Sequence, residues 1–209
     1  MVAFILASLA LAQEPWVPID VTTPLEEGVL MNWTRGALIA EVAQEKSLIA
    51  SINYKSMEKE ARMRVGELIK QGWNRVPLTA DMTFHELAKG LTVALPTKGM
   101  RNRFRVLETS YMPNGNVSLV AEWKLSDTLI AWTNRGGSVK NPQLSNEGEA
   151  VTGLLIDARN CGFSPVYAPS IVSHTGEVVF DGLIYTDEAL KRPPATYVYS
   201  PVHPAATQV

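Results

Sequence analysis

Residues 117–125 read VSLVAEWKL, and this short run constrains the fold more than any other. Val117, Leu119, Ala121, Trp123 and Leu125 alternate with Ser118, Val120, Glu122 and Lys124, the period of two that a strand with one buried face requires and a helix cannot use. Just upstream, Asn114 and Gly115 are the residue types that tolerate the positive φ of a tight turn. Residues 101–125 are therefore expected to form a hairpin with one face packed and the other largely wet. A sheet of this kind is stable only when another layer covers its apolar side.

Residues 53–71 supply the covering element. Met57, Ala61, Val65, Leu68 and Ile69 recur at helical spacing, while Glu58 with Arg62 and Glu60 with Arg64 stand four apart on the opposite face. Gly72 is expected to stop this amphipathic helix, and Pro77 opposes its continuation. A second helix is expected over residues 83–98, interrupted by Gly90 and Pro96. In residues 26–41, Val29, Met31 and Trp33 alternate before Arg35 and Gly36, with Ala37 and Ile39 after them, as in a hairpin or a bent strand. These signals predict an α+β core over residues 26–133, with amphipathic helices packed on an antiparallel sheet.

The flanks read differently. Residues 134–150 are rich in Gly, Asn and Ser and contain Pro142, the composition of a linker or exposed loop. Residues 151–191 hold three apolar runs, 151–156, 166–172 and 177–185, with Thr175 and Gly176 between the last two, so a smaller β-rich C-terminal region is expected. Pro15, Pro18 and Pro24 mark residues 13–25 as an extended arm. Pro193, Pro194, Pro201 and Pro204 mark residues 192–209 as an extended tail rather than a packed element. Residues 1–12 form an apolar run ending Ala10, Leu11, Ala12, which predicts a signal peptide cleaved after Ala12. No Lys or Arg precedes that run, which falls far short of the ~20 apolar residues of a membrane-spanning helix. No cysteine follows it, so no lipid-attachment site is expected.

The chemistry-bearing residues do not converge. With 209 residues, 46% of them hydrophobic and 19% charged, the chain is long enough for one large domain or two small ones. A net charge of -2 argues against a nucleic-acid or anionic-membrane partner. Cys161 is the one cysteine, which rules out an internal disulfide. Asp157, His174 and either Ser164 or Ser173 offer the residue types of a hydrolase triad, but neither serine sits in a G-x-S-x-G elbow. His85, His174 and His203 are scattered singly, Gly136 and Gly137 lack the lysine of a phosphate loop, and the pairs Glu26, Glu27 and Asp187, Glu188 read as solvated faces. No metal, cofactor or enzymatic activity is expected. Asp157 and Arg159 fall on one side of an extended segment, where they are expected to hold the loop 160–165 by charge-assisted hydrogen bonds, the alternative being to clamp a ligand carboxylate or a neighbouring subunit. Trp16, alone in its proline-rich arm, is expected at a contact with another chain.

Taken in order, several segments resemble the FlgP-like family of small bacterial envelope lipoproteins, which includes flagellar basal-disk and outer-membrane-associated motility proteins. They are residues 28–40 (GVLMNWTRGALIA), the helix 57–71, the hairpin 101–125 and, most specifically, residues 152–171 (TGLLIDARNCGFSPVYAPSI), followed by the His174, Thr175, Gly176 turn. The chain departs from the family in lacking the lipobox cysteine and alanine-rich helix text, and in carrying Asn160 and Cys161 after Asp157, Ala158, Arg159. The resemblance implies a helix-on-sheet α+β core, a periplasmic or outer-membrane location and a part in oligomeric rings or discs. The expected function is that of an exported, non-enzymatic structural protein that forms homo-oligomers or joins other envelope or flagellar proteins. The alternative is a monomeric periplasmic module that binds a small molecule between the loops of Asp157, Arg159 and Tyr167.

Overall fold

A computed structural model describes residues 19–45, 54–90, 103–133, 156–158, 161–182 and 195–199. The expected signal peptide 1–12, the linker 134–150, Trp16, Arg159, His203, Gly136, Gly137, Asp187 and Glu188 lie outside the described residues.

The architecture is α+β. An antiparallel sheet of five strands runs in the order β2 (Thr22–Glu26), β3 (Val29–Asn32), β4 (Ala37–Gln44), β8 (Val117–Lys124), β7 (Arg105–Tyr111). A long helix, α1 (Tyr54–Arg75), lies across one face of it. Short pieces complete the chain: β1 (Ile19–Asp20), the hairpin β5 (Pro77–Thr79) and β6 (Met82–Thr83), α2 (Phe84–Gly90), α3 (Leu125–Thr133), the hairpin β9 (Ser170–Val172) and β10 (Val178–Asp181), and β11 (Val198–Tyr199).

The alternation of residues 117–125 is used as expected. Val117, Leu119, Ala121, Trp123 and Leu125 are all buried, and β8 pairs with β4 along its full length from Val117 opposite Gln44 to Lys124 opposite Ala37. On the same face, β3 and β4 contribute Val29, Met31, Leu38, Ala40 and Val42. α1 closes this face with Met57, Ala61, Val65, Ile69 and Trp73. Met57, Val65 and Ile69 each contribute about 1.5–3 kcal/mol by leaving water, so the helix is held by its stripe rather than by its own hydrogen bonds. At the β7 to β8 turn, Gly115 takes φ 88° and the Asn116 N–H donates to Asn114 Oδ1 at 3.0 Å.

Three expectations are corrected. Gly72 does not stop α1, which runs on to Arg75; a Cβ at Gly72 would sit 2.9 Å from Val29 Cγ2 and 3.6 Å from Leu38 Cδ2, so the glycine lets helix and sheet approach closely. Residues 26–41 hold more than a hairpin or bent strand: β2, β3 and β4 form a three-stranded meander whose first strand begins at Thr22, within the expected arm. The stretch 195–199, expected to be unpacked, pairs with β1 and packs on the core, because Tyr197 carries a ring and a hydroxyl that both find partners. The expected helix at residues 83–98 is described only to Gly90; 91–100 lie outside the described residues.

α2 is started by a reciprocal cap. The Thr83 N–H and hydroxyl donate to Glu86 Oε2 at 2.7 and 2.9 Å, and the Glu86 N–H donates back to Thr83 Oγ1 at 3.3 Å. The backbone hydrogen bond from Thr83, reinforced by its hydroxyl, holds the Glu86 carboxyl below the ordinary glutamate range. A carboxyl depressed in the folded state contributes its stabilisation fully above its unfolded pKa and loses it as pH falls through the folded value. Carbon-detected NMR titration is expected to place the Glu86 midpoint below that of an unstructured peptide, and Thr83→Ala to raise it. An unchanged midpoint in the variant would show that the Thr83 hydroxyl does not bond Glu86 in solution.

Candidate assembly surface

The C-terminal region is fastened to the core at a few well-defined points. The Tyr167 and Ala168 N–H groups donate to the carbonyls of Pro77 and Leu78 at 2.9 and 2.7 Å, which adds this stretch to the outside of β5. The Tyr167 ring then enters the core, 2% exposed, with its centroid 5.2 Å from Phe84, which in turn stands 5.2 Å from Trp73. Its hydroxyl is buried and hydrogen-bonds to none of the described residues. Burial, with the Asp127 carboxylate adding to it, pushes this phenol above its ordinary pKa. Tyr167 is therefore an anchor inside the fold and not a wall of an open cleft.

Tyr197 locks the same segment from the other side. Its hydroxyl donates to the Val166 carbonyl at 2.6 Å and faces the Val166 N–H at 3.4 Å. Its own carbonyl accepts from the Thr34 hydroxyl at 2.6 Å, and Thr34 Oγ1 in turn accepts from the Val21 N–H at 2.9 Å. The ring meets Trp33 edge-on and stacks on Phe163, each at 5.8 Å. Strand β11 pairs with β1 through Ile19 opposite Tyr199 and Asp20 opposite Val198. Asp20 is joined to the sheet as well, accepting from Asn32 Nδ2 at 2.8 Å and pairing with Arg35 at 3.4 Å, while Arg35 reaches the buried Glu122 at 3.3 Å.

From this base the β9 to β10 hairpin projects. It is closed at the bottom by the Gly182 N–H to Pro169 carbonyl bond at 2.8 Å, and at the tip by the Ser173 N–H to Glu177 carbonyl bond at 2.7 Å. Ser173 Oγ lies 2.7 Å from Thr175 Oγ1 and accepts from the Glu177 N–H at 3.1 Å, so this hydroxyl organises its own turn. Cross-strand partners share a face of a ribbon. Val172 opposes Val178 on one side, Ile171 opposes Phe180 on the other, and a register shift between Val178 and Phe180 leaves Val179 as an extra residue. Val172, Val178, Val179 and Phe180 are all exposed, Val179 by 65%.

Such a ribbon is unusual on a free surface. The run Val178, Val179, Phe180 has no polar alternation, which is the pattern of a strand buried on both faces. Two strands alone in water are marginal at best, and among the described residues no third strand joins them.

The other expected site residues are dispersed. Asp157 is exposed, and whether it works with Arg159 falls outside the described residues. Cys161, Ser164, His85 and His174 are exposed too. Among the described residues, no three His, Cys, Asp or Glu side chains gather as a metal site, and no helix is long and apolar enough to cross a membrane. Thr34 and Tyr197, the two ends of the lock, escaped the sequence reading; the alternation in Tyr197, Val198, Tyr199 was the available signal. Comparison of the chain with protein-family models, with curated proteins and with solved structures finds no match.

Proposed function

We propose that this chain is a non-enzymatic structural protein, exported to the bacterial cell envelope, that works by associating into a larger assembly. The observation that carries the reading is the β9 to β10 ribbon, rigidly based on Tyr167 and Tyr197 yet apolar on both faces and exposed. Exposed apolar surface that is fixed in place marks a contact with another macromolecule. Export rests on the apolar start of the sequence, and the envelope setting on the resemblance of residues 28–40 and 152–171 to envelope motility proteins.

Sedimentation velocity over a wide concentration range tests the central point. The purified chain is expected to shift from monomer to a defined larger species as concentration rises. A monomer at every concentration would remove the self-associating form of the proposal.

A further inference from the structure

We infer that the β9 to β10 hairpin of one copy adds to the β7 edge of the next, so that copies join head to tail; this rests on the self-associating reading above. Both halves of the contact are present on one chain. The central sheet has two outer strands, β2 and β7. β2 carries Pro24, which removes a backbone donor and guards that edge. β7 carries no proline, and among the described residues nothing pairs with its outer side.

Charge decides between a symmetric and a head-to-tail arrangement. The hairpin is acidic, with Glu177 and Asp181 bracketing Val178, Val179 and Phe180. If two copies of β10 paired antiparallel about a two-fold axis, Glu177 of each would face Asp181 of the other, and like charges directly opposite are destabilising. The start of β7 is the complementary part of that edge, because Arg103 leads into it and Arg105, which also meets Glu122 at 3.8 Å, opens it with a side chain 75% exposed; the exposed Glu108 lies further along, opposite Val178 in the register below. An antiparallel addition that sets Asp181 beside Arg105 brings Val179 against Leu107. These two residues are the extra ones at the bulges of their respective strands, and both are apolar and exposed. Backbone pairing would supply affinity, the ion pair would fix direction, and the apolar pair would exclude water.

A head-to-tail contact leaves one open surface at each end of the growing series of copies, so it generates a ring or a filament rather than a dimer. The test follows from that asymmetry. Val179→Asp disables the hairpin and Leu107→Glu disables the edge; both sites are exposed, and circular dichroism is expected to match the parent. Each variant alone is expected to associate about 30-fold more weakly or worse. Mixed in equal amounts, they are expected to form a pair and stop there, because one intact hairpin meets one intact edge.

A second measurement needs no disabled surface. In a Cys161→Ser background, Leu107→Cys combined with Val179→Cys is expected to give disulfide-linked ladders on oxidation, with no such ladders from a chain carrying only one of the two. If the parent assembles and the Leu107→Glu chain still does so unaided, or if the doubly substituted chain gives no ladder, the head-to-tail contact is wrong while the assembly reading survives. If the parent never assembles, both fall.

Discussion

Tyr167→Ala is expected to lower stability by about 3–5 kcal/mol, the range for removing a fully buried aromatic ring, whereas Tyr167→Phe is expected to leave stability unchanged or raise it by up to about 1 kcal/mol. The contrast comes from the two parts of one side chain. The ring is 2% exposed and packs at 5.2 Å from Phe84, so deleting it empties a volume that neighbouring rings cannot refill. The hydroxyl is buried and hydrogen-bonds to none of the described residues, so deleting it relieves a polar atom taken out of water. Urea unfolding of the parent and both variants measures this directly, with an unchanged slope confirming that stability alone has moved. A loss of 2 kcal/mol or more, about the cost of an orphaned partner, in Tyr167→Phe would show that the hydroxyl has a partner in solution. Because Tyr167 also fixes the base of the projecting ribbon, the alanine variant is expected to weaken assembly as well, and the phenylalanine variant to preserve it.

Gly72→Val is expected to be nearly as damaging, at about 2–3 kcal/mol. A Cβ at this point already lies 2.9 and 3.2 Å from the two methyls of Val29, which is itself 3% exposed in the core, and branching adds more atoms on the same side. Either the helix lifts from the sheet or Val29 is displaced from its place. Gly72→Ala sets a close encounter with Val29 against a gain of about 1 kcal/mol in helix propensity, so it is expected to fall well below valine in its effect. Thermal melts of the two variants rank them. Equal melting temperatures for valine and the parent would mean that the helix does not sit as close to β3 as described.

Gly72 also shows where local reading runs out. A glycine after an amphipathic run has two uses, ending the helix or letting it touch a neighbour, and the residues around it do not distinguish them. The buried stripe of α1 and the alternation of β8 were legible because periodicity is a property of a single segment. Glu58 and Arg62 do pair at 3.1 Å, while Arg64 turns instead to Gln44 at 3.0 Å, a partner at the end of β4. Helix α3 was hidden because Leu125 prolongs the strand alternation, and because Thr128, Trp132 and Thr133 favour strands. Its Leu125 to Leu129 spacing and the Trp123 Nε1 bond to Thr128 Oγ1 at 3.0 Å act only once the helix exists. Residues 22–25 read as an arm since Pro24 opposes a central strand, yet an edge position accepts it. For the candidate surface, the apolar runs at 166–172 and 177–185 were visible. That Val166, Tyr167 and Ala168 would be buried while Val172, Val178, Val179 and Phe180 stand exposed was not, since it depends on which elements stand nearby and not on composition.

The Tyr197 lock bears on the order in which the chain can be completed. Thr34 and Tyr197 are separated by 163 positions, so during synthesis the early loop waits for all the residues between them before Tyr197 arrives. Until then the Trp33 ring edge lacks Tyr197, and Val166 lacks the hydroxyl that holds it. The projecting ribbon, by contrast, pairs residues a few positions apart, so its own contacts wait on no distant partner, although two strands alone stay marginal until their base is fastened. A chain interrupted before position 197 would thus display the exposed apolar ribbon without the clasp that steadies its base.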